Sequence, residues 1–373
     1  MLFVICYLSL VNYHLSLVNH HLSIINYQLS IINYQLSIII PWNTPGWFEQ
    51  AESWIQEQIK HQGFKPIAPI EVVKNWALAI ILRVKTTQGS IYFKASAPLF
   101  ANEPESTRIL GELYPAYLPQ VIATKPEQHW MLMRSIDGEI LETLGDISHW
   151  QAALRQWAKF QIDASQHREH LIGLGWLDLG LDKIDQELEK LFYPKLWQSS
   201  NTVYGLGKSE PFSLFTWVSK LKAVCHQLSQ LELPETLVHG DLSPRNIYSR
   251  HQDRGFVYFD WSDTCISHPF FDLIRFLYEI EKDLPHVPDA RSRIRNAYLE
   301  PWTIYAPMEQ LVSTFESAAE TLESLYENIS VETRNFSSLQ ENWGDRWQWQ
   351  AETPVSFYLQ RLLIQVSTYL QDK

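Results

Sequence analysis

Apolar and aromatic side chains recur at helical spacing along Trp47 to Gln62 (WFEQAESWIQEQIKHQ), and Gly63 follows as a stop, so an amphipathic helix is expected to open the folded part. Two runs rich in Ile, Val, Tyr and Phe, Ala77–Lys85 and Ser90–Ala95, flank the turn residues Thr86-Thr87-Gln88-Gly89 and predict a hairpin. Asn102–Leu113 has helical character, and Trp130-Met131-Leu132-Met133 reads as a buried strand before the polar exit at Asp137-Gly138. Beyond that point helical periodicity dominates, over His149–Ser165, Leu181–Phe192, Leu214–Leu231, Met308–Asn328 and Val355–Leu370. Only short apolar runs around 237 and 256 interrupt it. The expected class is α+β, with a small β-rich N-terminal lobe over 41–135 and a larger, mostly helical C-terminal lobe over 136–373.

Residues 1–40 follow a different rule. From Tyr13 they repeat every seven residues (YHLSLVN, HHLSIIN, YQLSIIN, YQLSIII) up to Pro41. The Leu and Ile spacing imitates a coiled-coil seam, but no charged residue solubilises an outer face or sets pairing. A membrane anchor is disfavoured by the polar Asn, Ser and Gln or His that the heptads carry, and a secretory signal by the lack of a basic leading segment. The DNA offers a simpler origin. The codons TAT CAA TTA TCA ATT ATC AAT encode Tyr-Gln-Leu-Ser-Ile-Ile-Asn and are tandem copies of TATCAAT; a seven-base unit returns a seven-residue period because seven is not divisible by three. The segment is therefore expected to be translated repeat DNA, outside the fold.

Composition narrows the remaining classes. At 46% hydrophobic and 13% aromatic residues, the 373-residue chain can fill a sizeable core. Acidic residues outnumber basic ones by 42 to 30, a net charge of -12, which gives a nucleic-acid partner no electrostatic footing. Cys6, Cys225 and Cys265 form neither a disulfide framework nor a zinc set, and a cytoplasmic setting is expected. Asn328-Ile-Ser and Asn335-Phe-Ser match the glycosylation tripeptide by chance. His167 and His170 stand three apart without further ligands, so they read as surface residues.

The chemistry concentrates in LVHGDLSPRNI (residues 237–247) and, shortly after it, VYFDWSD. Phosphoryl transfer from Mg-ATP needs oxygen ligands for a hard cation and a carboxylate that orients the attacking hydroxyl and takes its proton. Asp241 is the candidate base, with Asn246 and Asp260 as the candidate Mg2+ ligands. The alternative is a strand-loop-strand whose polar groups only cap turns.

These motifs resemble the aminoglycoside phosphotransferase and choline kinase family, whose catalytic loop has the form His-Gly-Asp-x-x-x-x-Asn followed by a strand ending in a metal-binding Asp. The resemblance covers residues 47–373, sharply at the motifs and loosely elsewhere. It implies a two-lobed protein-kinase-like fold with ATP in the interlobe cleft. It further implies that Lys94, in Ile91-Tyr92-Phe93-Lys94-Ala95, meets the nucleotide phosphates and that Glu103 positions it, with Glu105 an open alternative. Trp130–Arg134 resembles the segment joining the lobes, so the backbone at Leu132 and Met133 would receive adenine. Asp272, in HPFFDLIRF, would brace the catalytic loop.

Three departures from protein kinases point to a small-molecule acceptor. Gly240 stands where an Arg often precedes the catalytic Asp, and Ser243 stands where a Lys is common, leaving transition-state charge to Mg2+ and Arg245. No Ala-Pro-Glu follows the short stretch from Asp260 to Asp272, so a peptide-docking segment is missing. The nucleotide loop, Lys74-Asn75-Trp76-Ala77-Leu78, lacks the usual glycines. The expected activity is transfer of the γ-phosphoryl group to a hydroxyl of an aminoglycoside-, choline- or amino-sugar-like molecule, with no nucleic-acid or membrane partner. The competing readings are a nucleotide-binding pseudokinase and a membrane-tethered interaction protein.

Overall fold

The computed structural model describes residues 40–76, 78–191, 210–251, 255–278 and 280–337. The heptapeptide repeat and the helix expected over Val355–Leu370 lie outside them. The chain divides into two compact units, and the division is discontinuous in sequence: the first runs to His149 and takes up Ser243–Asp263 again, while the second holds Trp150–Leu242 and the chain from Thr264 onward.

The first unit is built on a five-stranded antiparallel sheet of order β1-β2-β3-β5-β4: β1 (Glu71–Trp76), β2 (Ala79–Thr86), β3 (Gly89–Ser96), β4 (Val121–Lys125) and β5 (Trp130–Arg134). The predicted hairpin is β2-β3, closed by a Thr86↔Gly89 pair in which Thr86 Oγ1 donates to Gly89 O at 2.7 Å. Gly89 sits at φ +105°, which a side chain would resist. Helix α1 (Trp47–His61) buries Trp47, Ala51, Ile55 and Ile59, an unbroken four-residue spacing along one face. Trp47 meets Phe93 of β3 and Trp130 of β5 edge-on at 6.2 and 5.7 Å, and Trp54 lies 5.9 and 5.7 Å from the same two rings. Buried aromatic contacts of this kind contribute about 1 kcal/mol each beyond the area they remove from water. Helix α2 (Glu103–Leu113) follows β3. A second sheet of order β6-β8-β9 joins β6 (Gly138–Ile140) to β8 (Ile247–Arg250) and β9 (Phe256–Tyr258), which is why Ser243–Asp263 groups with this unit.

The second unit is mostly helical: α3 (Ile147–Ser165), α4 (Arg168–Gly173), α5 (Leu181–Leu191), α6 (Glu210–Ser229), α7 (Phe270–Leu277), α8 (Ala290–Leu299) and α9 (Met308–Ser337). A two-stranded antiparallel ribbon, β7 (Thr236–Val238) with β10 (Cys265–Ser267), runs through it. Its core gathers Trp150, Trp157 and Phe160 of α3, Phe276 of α7, Tyr298 of α8 and Trp302, each at most 1% exposed. All eight residues of α7 are buried. No helix among the described residues is long and apolar enough to cross a membrane.

Candidate active site

Period-two alternation in β3 sends Ile91, Phe93 and Ala95 to one face and Lys94 to the other. Lys94 Nζ lies 2.5 Å from Glu103 Oε1, at the start of α2, and 2.8 Å from Asp260 Oδ1. Ser96 Oγ donates to the second Glu103 oxygen at 2.6 Å. Burial works to lower the Lys94 ammonium, but the Asp260 and Glu103 carboxylates outweigh it and hold Lys94 well above its ordinary value, hence charged. Burial likewise raises the Glu103 carboxyl, while Lys94 and Ser96 draw it down. Glu105 is engaged elsewhere, accepting from Arg108 at 2.9 and 3.0 Å and from Thr124 Oγ1 at 2.5 Å. The Lys94 partner in α2 is thus Glu103.

Asn246 and Asp260 sit at matching ends of the β8-β9 hairpin, whose register pairs Ile247 with Tyr258. Phe259 N donates to Asn246 O at 3.0 Å, extending the pairing by one step. Asp260 adopts φ +70°, a left-handed conformation costing a non-glycine residue about 1 kcal/mol. The turn is pinned by the buried Trp261, whose Nε1 donates to Tyr258 O at 2.9 Å. An amide oxygen and a carboxylate on adjacent chain ends, with an ammonium bonded to that carboxylate, form a donor set that could hold a divalent cation together with phosphate oxygens.

Asp241 belongs to the other unit, on the loop that leaves β7. Asp272 of α7 organises this loop: its Oδ2 accepts from His239 N at 2.9 Å, Trp157 Nε1 at 3.1 Å and Gln161 Nε2 at 3.0 Å, and its Oδ1 accepts from Gly240 N at 3.0 Å. Burial pushes the Asp272 carboxyl up to about 7 in spite of these donors. Gly240 lies at φ +83°, a conformation that glycine adopts without strain. The Asp241 side chain itself is met by Arg275, whose Nε lies 2.9 Å from Oδ1. No motif pointed to Arg275; its place three residues beyond Asp272, on the same face of a helix, was the only available signal.

Two expectations change. Trp130–Arg134 is an inner strand, paired with β3 on one edge and β4 on the other, so the backbone of Leu132 and Met133 serves the sheet and offers no edge to adenine. The chain leaves the sheet only after Ser135, whose N–H donates to Ser90 O at 3.0 Å. Arg245 is drawn to Glu142, with Nε 2.8 Å from Oε1.

Residues 81–311, more than half of the chain and including every one of these side chains, match the family described as "Phosphotransferase enzyme family". The chain belongs to that family. The chain is thus a phosphotransferase, and its α+β class agrees with the expectation from sequence. Solved structures similar to it include an ethanolamine kinase from Plasmodium vivax (13% identity, TM-score 0.49, 80% of this chain and 82% of that one). Others are choline kinase LicA from Streptococcus pneumoniae (12%, 0.46, 86% and 100%) and an aminoglycoside-3'-phosphotransferase of type VIII (15%, 0.44, 71% and 98%). No curated protein matches the chain.

Proposed function

We propose that this phosphotransferase moves the γ-phosphoryl group of Mg-ATP to a hydroxyl of a small, cationic or polyhydroxylated molecule of the aminoglycoside, choline or amino-sugar kind. The observation that carries the reading is Lys94, a charged ammonium held between Glu103 and Asp260. Burying an ammonium is costly unless partners hold it in place, and a pair of carboxylates aims it for phosphate oxygens. In this reading Glu103 fixes the direction of Lys94, and Lys94 neutralises the nucleotide phosphates. Asn246 and Asp260 would hold Mg2+, which supplies charge neutralisation at the β- and γ-phosphates when bound. Asp260 would then exchange its contact with Lys94 for the cation. Asp241 orients the acceptor hydroxyl and takes its proton as the new oxygen–phosphorus bond forms and the bond to ADP breaks. Adenine would meet backbone beyond Ser135. The net charge of -12 favours a cationic acceptor.

The test is an ADP-release screen of the purified full chain with Mg2+ across choline, ethanolamine, homoserine, amino sugars, aminoglycosides and macrolides, run beside Asp241→Ala. Acceptor-dependent turnover that drops by about a thousandfold in the variant supports the reading. Turnover that Asp241→Ala leaves intact sinks it, and nucleotide binding with no turnover on any acceptor favours the pseudokinase instead.

A further inference from the structure

We propose that Arg275 is a positioning residue for Asp241, fixing the carboxylate that receives the acceptor's proton; the proposal rests on the role given to Asp241 above. The argument starts from α7. The helix is buried at every position and carries two ionisable residues, Asp272 and Arg275, three apart and so on one face. Asp272 holds the loop by its backbone, at His239 N and Gly240 N. Arg275 holds the next residue by its side chain, Nε to Asp241 Oδ1 at 2.9 Å. A single helix face thereby fixes three consecutive loop residues.

The costs are unequal. The Arg275 side chain is 8% exposed and that of Asp241 30%. A guanidinium is almost never buried without a partner, since an uncompensated buried charge costs several kcal/mol. Stabilising α7 alone would call for an apolar residue at this position, as its neighbours are. Arg275 instead takes one carboxylate oxygen in a charge-assisted bond, which removes the rotameric freedom of Asp241 and aims the rest of the carboxylate. Rate is sensitive to such aim, since a displacement of about 1 Å at a reacting group costs on the order of a hundredfold. Arg275 touches neither nucleotide nor acceptor in this scheme; its effect passes through Asp241.

A double-mutant cycle on the full chain tests this, with turnover measured on whichever acceptor the screen returns, or on water as acceptor-independent ATP hydrolysis if none responds. Arg275→Met is expected to lower kcat by roughly a hundredfold with KM for Mg-ATP within about twofold of wild type. Arg275→Lys, which keeps the charge and loses the planar donor, should recover part of that, to about tenfold below wild type. In an Asp241→Ala background either substitution should cost nothing further, within about threefold, because its target is gone. Equal losses in both backgrounds, or a raised KM at unchanged kcat, would overturn the proposal. Should Arg275→Met fail to fold, Arg275→Lys carries the same cycle to the same decision. If Asp241→Ala is itself active, the base assignment falls; if Asp241→Ala is dead and the Arg275 variants are fully active, only the role of Arg275 falls.

Discussion

His268, between β10 and α7, should contribute stability to the helical unit that is lost on acidification, and His268→Asn should remove that contribution. The side chain is 1% exposed, its Nδ1 accepts from Phe270 N at 3.2 Å, and its ring meets Phe270 edge-on at 4.9 Å. With Nδ1 accepting, the proton sits on Nε2, which is buried without a hydrogen-bond partner. Burial pushes the imidazole down from 6.5 to about 3. A group whose folded value is depressed in this way takes up its proton more readily in the unfolded chain, so stability falls as pH drops through the interval between the two values. At about 1.4 kcal/mol per unit, the stability that His268 contributes should fall by roughly 2 kcal/mol between pH 7 and pH 5 and roughly 4 by pH 3, while the raised Asp272 carboxyl, which works in the opposite direction, is common to wild type and variant and cancels in their difference. Asparagine offers an oxygen to the same Phe270 N–H and does not titrate, but it forfeits ring packing worth about 1–2 kcal/mol at neutral pH. Urea unfolding followed by tryptophan fluorescence at pH 7.5, 6 and 5 should therefore show the variant weaker at neutral pH and level with wild type near pH 5. A gap that stays constant across that range refutes the reasoning.

Three further outcomes follow from the same geometry. Glu103→Gln should lower kcat/KM for Mg-ATP by about 10- to 100-fold, whereas Glu105→Gln leaves it within about twofold in the same steady-state assay. Asp272→Ala, by stranding the N–H groups of His239 and Gly240, should destabilise the protein by about 3 kcal/mol in denaturant titration and depress turnover along with it. Gly138→Ala should lower the melting temperature by several degrees, because a Cβ there would stand 2.1 Å from the backbone oxygen of Ser249 across the β6-β8 pair.

The catalytic-loop motif and the Asp260 strand were legible because their residue types and spacing follow from the chemistry, and β2-β3 was legible from alternation around a turn. Lys94 could be named, but Glu103 and Glu105 share the first turn of α2, and choosing between them required knowing which side of that turn is directed at Lys94. Strand β1 escaped notice because five of its six residues are exposed and its pairing with β2 contains an irregularity at Val72–Lys74, so no alternation survives. Helix α7 was invisible for the opposite reason: eight residues long and buried all round, with its two charged side chains turned into the protein, FFDLIRFL read only as a motif. Asp260 in a left-handed conformation and Arg275 beside Asp241 are products of tertiary packing, and no local pattern encodes them.

The return of Ser243–Asp263 to the first unit bears on the birth of the protein. Strand β6 is made early, yet its partner β8 follows only after Trp150–Leu242, the first portion of the second unit, has been synthesised. The nascent first unit must wait at the ribosome with β6 unmatched, and Asp260 reaches Lys94 only when that late hairpin has emerged. A message truncated after His149 would yield a sheet without the β8-β9 hairpin that carries Asn246 and Asp260, so the Lys94–Asp260 pair can form only after the Asp241 loop has already been translated.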